Sequence, residues 1–425
     1  MAASAMPAKC LMVTQVRGGP CLSPATCHRT PAMDRGSRAP GRRAAFAGIF
    51  AVTLLALLSV GAVLPVLPRY VRGPLGAGDV AVGFVIGAFA VTGLIARPFA
   101  GRLADARGRR PAVVIGSLLA CLAGLLYFVP AGVPGLIAAR LVLGAGEGMV
   151  FTAGSAWIVD LATPGRRGRV IGLYGLAVWS GLSLGPPIGE LLLHTSSYDL
   201  VWAFAAAAPL VGAILALRLP DPYEGGGEEA RRGSLIAAES LRPGLVLALA
   251  SVGYAAVAGF VVLHLDARGI GHGALVFGAF AAMVVLTRLL GGNLPDRVGP
   301  ARCATGAALV EATGLATIAV AGSLPVALAG ALAMGAAFSL LYPSLSLVVI
   351  ERVPDSRRGA ALGTFTAFFD AGVGFGAPLA GAVAAISGYE GAFLVAASLA
   401  AAAAATVFLL IAAPGRAALA RLSAR

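Results

Sequence analysis

Charge is scarce in this chain. Of its 425 residues only 12% are Asp, Glu, Lys or Arg, while 58% are hydrophobic. A soluble domain carries about a quarter charged residues, so most of this surface must face lipid rather than water. Lysine is almost missing: Lys9 stands alone, and arginine supplies nearly all of a formal net charge of +13. Histidine is limited to His28, His194, His264 and His272, all expected in tails or loops, and no His, Cys and acid cluster has catalytic spacing. That argues against an enzyme. No Gly-x-x-x-x-Gly-Lys-Ser/Thr run occurs, which argues against ATP-driven work. Cysteine is equally thin. Cys10, Cys21 and Cys27, followed by His28, fit no usual zinc spacing, and Cys121 and Cys303 lie far apart. Neither metal, cofactor nor disulfide framework is expected.

Long apolar runs fill the space that charge leaves. A helix needs roughly 20 apolar residues to span a bilayer, and such runs fall near 46–68, 80–100, 112–130, 134–158, 170–193 and 200–219. Six more fall near 244–263, 274–290, 303–322, 325–350, 360–385 and 392–413. Twelve spans are predicted. With the N-terminus inside, fifteen arginines from Arg102 to Arg358 lie in inner loops, against Arg69, Arg72 and Arg268 outside. The positive-inside rule then places both termini in the cytoplasm. The basicity serves insertion, and no nucleic-acid partner is implied. Residues 1–43 lack an apolar run and read as a disordered cytoplasmic tail rather than a cleaved signal. The polar, glycine-rich segment 220–243 reads as a cytoplasmic linker between bundles at 44–219 and 244–413, with a short tail at 414–425.

The two bundles echo each other. Gly101-Arg-Leu-Ala-Asp105-Ala-Arg-Gly108 answers to Gly292-Asn-Leu-Pro-Asp296-Arg-Val-Gly299, Arg97 to Arg288, and Gly185 to Gly376. The offset is constant (292 − 101 = 191, 376 − 185 = 191). A duplicated half built of hydrophobic helices is a common transporter plan, with the substrate site between the halves.

The loop after the second span reads Gly101-x-x-x-Asp105-x-x-Gly108-Arg109-Arg110. An acid among guanidinium groups can pair with arginine or sit against a helix N-terminus, where the dipole is positive. This pattern, with its weaker second copy, resembles the loop signature of the major facilitator superfamily over residues 44–413. The resemblance implies an all-α membrane protein with twelve spans in two pseudo-symmetric six-helix bundles. It also implies a relay of Asp105, Arg109 and Asp160 that holds the cytoplasmic side closed. Ala106 departs from the family pattern, and Pro300 stands where the second half would repeat Arg109. Asp296 and Glu351 remain there, so a weaker second latch is expected.

In the fifth span Gly172, Gly181, Gly185-Pro186-Pro187 and Gly189-Glu190 set small residues at intervals that let helix backbones approach. This resembles the antiporter motif of the drug:proton exporters, although Glu190 stands where that motif has Gly. Plain helix packing is the competing explanation.

Charges inside spans cost roughly 2.5–3.5 kcal/mol each on insertion scales and so mark pathways or partners. Arg140 and Glu147 lie two turns apart on one helix face, with Gly144 between them. They read either as a self-neutralising clamp or as part of the pathway. Asp370 falls near mid-span after Phe365, Phe368 and Phe369, a setting suited to a proton or a cationic or neutral amphiphile. Arg97 and Arg288 are expected to reach the inner surface by snorkelling. Glu311 is expected in a peripheral helix.

The expected activity is secondary active transport by alternating access, with proton-coupled efflux of a small organic substrate across the plasma membrane by a monomer. An importer or uniporter, and a transport-inactive receptor or scaffold, are the alternatives.

Overall fold

The computed structural model describes residues 39–161, 167–195, 197–221, 237–353 and 358–412, and every regular element among them is helical. In the first half α1 (Ala39–Val63) leads into the short α2 (Val66–Arg72). Then follow α3 (Asp79–Arg107), α4 (Arg109–Leu126), α5 (Gly132–Leu161), α6 (Arg167–Thr195) and α7 (Tyr198–Arg218). The second half opens with a 3₁₀ turn at Ala238–Ser240 and α8 (Leu241–Ala267). It continues through α9 (Gly273–Gly291), α10 (Leu294–Val298), α11 (Pro300–Ala319), α12 (Leu324–Ile350) and α13 (Arg358–Thr406).

Among the described residues, ten helical segments are long and apolar enough to cross a membrane. The expected eleventh span lies in α13, which counts 49 residues, and the expected twelfth begins in it and runs on into a π-helical turn at Val407–Ala412. One straight helix of that length would reach roughly 70 Å, against ~30 Å of hydrocarbon. Gly388, with φ 76° and ψ 174°, breaks it. The expected ninth span lies on α11, where Arg302 and Glu311 dilute the apolar run. His264 corrects an expectation: it is not in a loop but buried in the last turn of α8, its Nε2 3.0 Å from the Ile318 carbonyl oxygen.

The sequence repeat is also a structural one. Gly108, between α3 and α4, and Gly299, between α10 and α11, stand 191 apart (299 − 108) and share a φ of 97°. That backbone region is open to glycine and strained for other residues. Gly144 on α5 lies against the Phe89 carbonyl of α3, and Gly335 on α12 lies against the Phe280 carbonyl of α9. The same offset relates both partners (335 − 144 = 191, 280 − 89 = 191). Any side chain at either glycine would meet backbone, so both crossings depend on its absence.

The glycines of α6 have a similar use. Gly181 faces Leu57 and Leu58, Gly185 faces Gly61 and Ala62, and Gly189 faces Ala62, so this stripe seats α6 on α1. Two further pairs join the halves, α3 with the first part of α13 and α6 with α9. On the first, Gly83 meets Ala377 and Pro378, Gly87 meets Gly374, and Gly381 meets Asp79. On the second, Ser183 donates to the Gly278 carbonyl at 3.2 Å, and the Pro187 ring packs on Gly278. Buried aromatic rings fill the space between: Trp179, Tyr254, Phe280 and Phe338, with Trp179 and Phe338 centroids 5.4 Å apart.

Candidate functional site

The middle of the inter-half seam carries an ion pair. Arg97 of α3 donates from Nε to Asp370 Oδ2 at 2.7 Å and from Nη2 to Oδ1 at 3.0 Å. This two-bond fork is the strongest arrangement open to an arginine and a carboxylate. Asp370 is 3% exposed, so the carboxylate depends on Arg97 rather than on water. The guanidinium also lies over Phe151, 5.1 Å from the ring centroid. The expected snorkelling of Arg97 is therefore corrected: a partner on the opposite half holds it inside the seam.

Arg140 and Glu147 share a face of α5, as their spacing predicts, yet they form no ion pair. The fully buried Arg140 donates to the Val85 carbonyl at 3.2 Å and the Ile86 carbonyl at 3.1 Å, and stacks over Phe89 at 4.9 Å. Backbone oxygens of α3 do the work that the clamp assigned to Glu147. One Glu147 oxygen, Oε2, is buried without a hydrogen-bond partner. Glu147 stands within electrostatic reach of Arg97, Asp370 and Arg140, which makes one polar group of the four.

Two residues of this region were legible in the sequence but not chosen as site residues. Tyr342 of α12 shares a 2.8 Å hydrogen bond with Thr366 of α13 and stands within electrostatic reach of Arg97, Arg288 and Asp370. Arg288 of α9 has a buried Nε with no partner, and its Nη1 rests against Gly175 of α6. It too is held in the seam rather than snorkelling freely. The signal was available, since Arg97 and Arg288 are repeat equivalents.

A second network joins the halves at one end of the bundle. Arg69 of α2 bonds Glu190 of α6 at 2.8 and 2.9 Å and Asp266 of α8 at 3.0 and 3.3 Å. His194 lies 3.2 Å from Glu190. Nearby, Asp79 of α3 accepts a hydrogen bond from Tyr389 of α13 at 2.9 Å and faces Arg72 at 3.4 Å. Glu190, the residue that departs from the antiporter motif, is thus the acid that receives Arg69.

At the opposite end, Arg109 donates to Asp160 at 2.9 Å, joining α4 to the end of α5. Gly101 is half-buried on α3, and Gly108 makes the turn. Asp105 lies on α3, with its side chain outside the described residues. The acid seen at the N-terminus of α4 is Asp221, which accepts from the Arg110 backbone N–H at 3.0 Å. A helix N-terminus was one of the two uses open to an acid here, and Asp221, the second residue of the 220–243 segment, takes that of α4. Asp296 on α10 and Glu351 after α12 are exposed, and neither forms an ion pair among the described residues. Glu311 is fully buried on α11 beside Gly253 of α8, both carboxyl oxygens lacking partners. Pro186 lies inside α6 beside Gly185. Cys121 and Cys303 are free thiols, and no metal-holding cluster occurs among the described residues.

Residues 49–308 and 244–424 match the family model of the Major Facilitator Superfamily. The chain belongs to the major facilitator superfamily. An MFS-type transporter of Salmonella typhimurium is 34% identical over 374 residues, covering 85% of this chain and 95% of that protein. The MFS-type transporter YhhS of Escherichia coli is 32% identical over 351 residues, covering 80% and 86%. A bacterial homologue of the human lysosomal transporter Spinster, solved inward-facing and occupied, shares the fold with a TM-score of 0.72 at 18% identity, covering 88% of this chain and 97% of that one. Major facilitator proteins are multi-pass membrane proteins and secondary transporters, not enzymes.

Proposed function

We propose that this major facilitator protein is a proton-coupled exporter of small organic molecules, working by alternating access in the plasma membrane. The Arg97–Asp370 pair carries the reading. It spans α3 and α13, the helices that join the halves, and one member is an acid able to accept the transported proton. When Asp370 is ionised the pair holds the helices together. When a proton binds, the carboxyl loses its charge, Arg97 loses its anchor, and the seam is free to part. The same proton must leave toward the cytoplasm before the pair can re-form, which links proton flow to the conformational cycle. Glu147, within reach of both partners, is the second acid on this route and Arg140 fixes the α3 backbone beside it.

In this reading the bundles at 44–219 and 244–413 rock about the seam, and both termini and the 220–243 linker are cytoplasmic. The Arg69, Glu190 and Asp266 cluster then closes the outer side, while Arg109 and Asp160, with Asp105, belong to the inner gate. Asp296 and Glu351 are the remnant of a second inner latch. The drug:proton branch draws less support from Gly181, Gly185 and Gly189, because those glycines are used in packing against α1. The test is an inside-out vesicle assay. Substrates that this protein exports must dissipate an imposed pH gradient in vesicles carrying it and leave control vesicles unchanged; saturable flux indifferent to the gradient would replace the exporter by a uniporter.

A further inference from the structure

The 191-residue repeat exposes a missing charge. Arg97 and Arg288 are equivalent positions on α3 and α9. Arg97 has its acid at Asp370. The residue that should serve Arg288 is found by the same subtraction (370 − 191 = 179), and position 179 is tryptophan. The geometry agrees with the arithmetic. Arg288 rests against Gly175 of α6, one helical turn before Trp179, so an acid at 179 would stand on the stretch of helix that Arg288 already touches. In its place is an indole, packed at 6.1, 6.0 and 5.4 Å from the rings of Tyr254, Phe280 and Phe338. Among the described residues Arg288 has no ion pair and no hydrogen bond, and its buried Nε has no partner.

A guanidinium inside a membrane protein is costly without a counter-charge. The groups around it sharpen the imbalance. Arg97 and Arg140 stand within electrostatic reach of Glu147, and Asp370 is already engaged by Arg97 through both oxygens. Arg140 is committed to two carbonyls and a phenyl ring. Arg288 is left over, with the Tyr342 hydroxyl in electrostatic reach and an aromatic wall one turn away.

We propose that Arg288 is the binding residue for an anionic substrate, a small organic oxyanion such as a carboxylate or phosphonate with an apolar or aromatic body. The substrate's oxyanion takes the place of the acid absent at Trp179, and its body lies against the Trp179, Tyr254 and Phe338 rings. This reverses the cationic preference that Asp370 suggests from sequence, because Arg97 already satisfies that carboxylate. The inference rests on the transporter reading but not on its direction or its coupling to protons.

The test uses the full-length protein in lipid nanodiscs, with no gradient, and three probes that share one ring: phenylphosphonate, benzyl alcohol and benzylammonium. Binding is read from tryptophan fluorescence and from ligand-dependent shifts in Tm. Phenylphosphonate should bind saturably, and the neutral and cationic probes should bind at least tenfold more weakly. Arg288→Gln should weaken phenylphosphonate by about tenfold or more, the loss expected for a hydrogen bond to a charged group, while Arg288→Lys keeps part of it. Trp179→Asp should abolish it by supplying the missing acid internally, whereas Trp179→Phe should not. Each variant's Tm without ligand confirms that it is folded. Preference of the wild type for benzylammonium, or equal phenylphosphonate binding by wild type and Arg288→Gln, overturns the proposal. Loss of proton coupling with anion binding intact would instead count against the exporter reading alone.

Discussion

Arg97 and Asp370 lie 273 residues apart in sequence and meet through two hydrogen bonds, of 2.7 and 3.0 Å, across the seam between the halves. Such a pair gives little net stability once desolvation is counted, but breaking it from one side is expensive, about 3–5 kcal/mol in soluble proteins. Arg97→Gln alone should therefore lower Tm and yield more than the double variant Arg97→Gln with Asp370→Asn. A double variant no more stable than either single one, in a detergent thermal melt, would mean that the two charges are not each other's counter-ion.

The Arg69 cluster makes a different kind of prediction, because its members are partly exposed. Arg69→Ala removes two ion pairs of at most about 1 kcal/mol each. That is too little to unfold the protein but enough to shift a two-state equilibrium by about tenfold. A cysteine placed on the α6 side of this cluster should react faster with a membrane-impermeant thiol reagent applied from outside. Unchanged labelling in Arg69→Ala would mean that the cluster does not keep that side closed.

Gly144 and Gly335 should fail alike. Each sits on a carbonyl of the crossing helix, Phe89 or Phe280, and a bulky residue there must force the helices apart, at a cost of about 1–3 kcal/mol or more. Gly144→Val and Gly335→Val should both reduce Tm and folded yield, whereas Gly306→Val, where the added atom meets open space, should not. A harmless Gly335→Val would show that the second copy of this crossing has room that the first lacks.

The two acids near the N-terminus of α4 can be separated. Asp221 bonds the Arg110 N–H, so Asp221→Ala should cost about 0.5–2 kcal/mol of stability, as other lost helix caps do. Asp105→Asn should instead leave Tm near wild type and strongly reduce transport. Melting curves and flux measured on the same preparations decide between them; identical profiles would put both acids in one role.

The fold was legible because its signals are local or repetitive. Apolar runs of span length, the arginine asymmetry and the constant 191 offset need no tertiary information, and the last of these pairs Gly108 with Gly299, which share a φ of 97°. The spans that do not stand out as separate apolar helices are the ninth, whose run carries Arg302 and Glu311, and the twelfth, which continues from the eleventh through Gly388. The site was legible in its residue types and not in its pairings. Arg140 and Glu147 satisfy the helical spacing for a clamp, but spacing along one helix cannot show that α3 offers the Val85 and Ile86 carbonyls instead. Likewise nothing in the local sequence ties Arg97 to Asp370, Arg69 to Asp266, or Asp221 to α4. Those contacts join segments far apart in sequence, and only packing brings them together. Glu190 illustrates the same limit: a departure from a motif in sequence becomes, in the structure, the partner of Arg69.

The most direct test of the account is the effect of Asp370→Asn on coupling in reconstituted vesicles. Export should be driven by an imposed pH gradient in the wild type. In Asp370→Asn that drive should vanish, while substrate exchange without a gradient persists, because the side chain keeps its size but can no longer take up the proton. Glu147→Gln, measured alongside, shows whether the second acid is needed as well. Full gradient-driven export by the Asp370→Asn, Glu147→Gln double variant would contradict the account and place the proton on another acid, with Glu190 and Glu311 next to be examined.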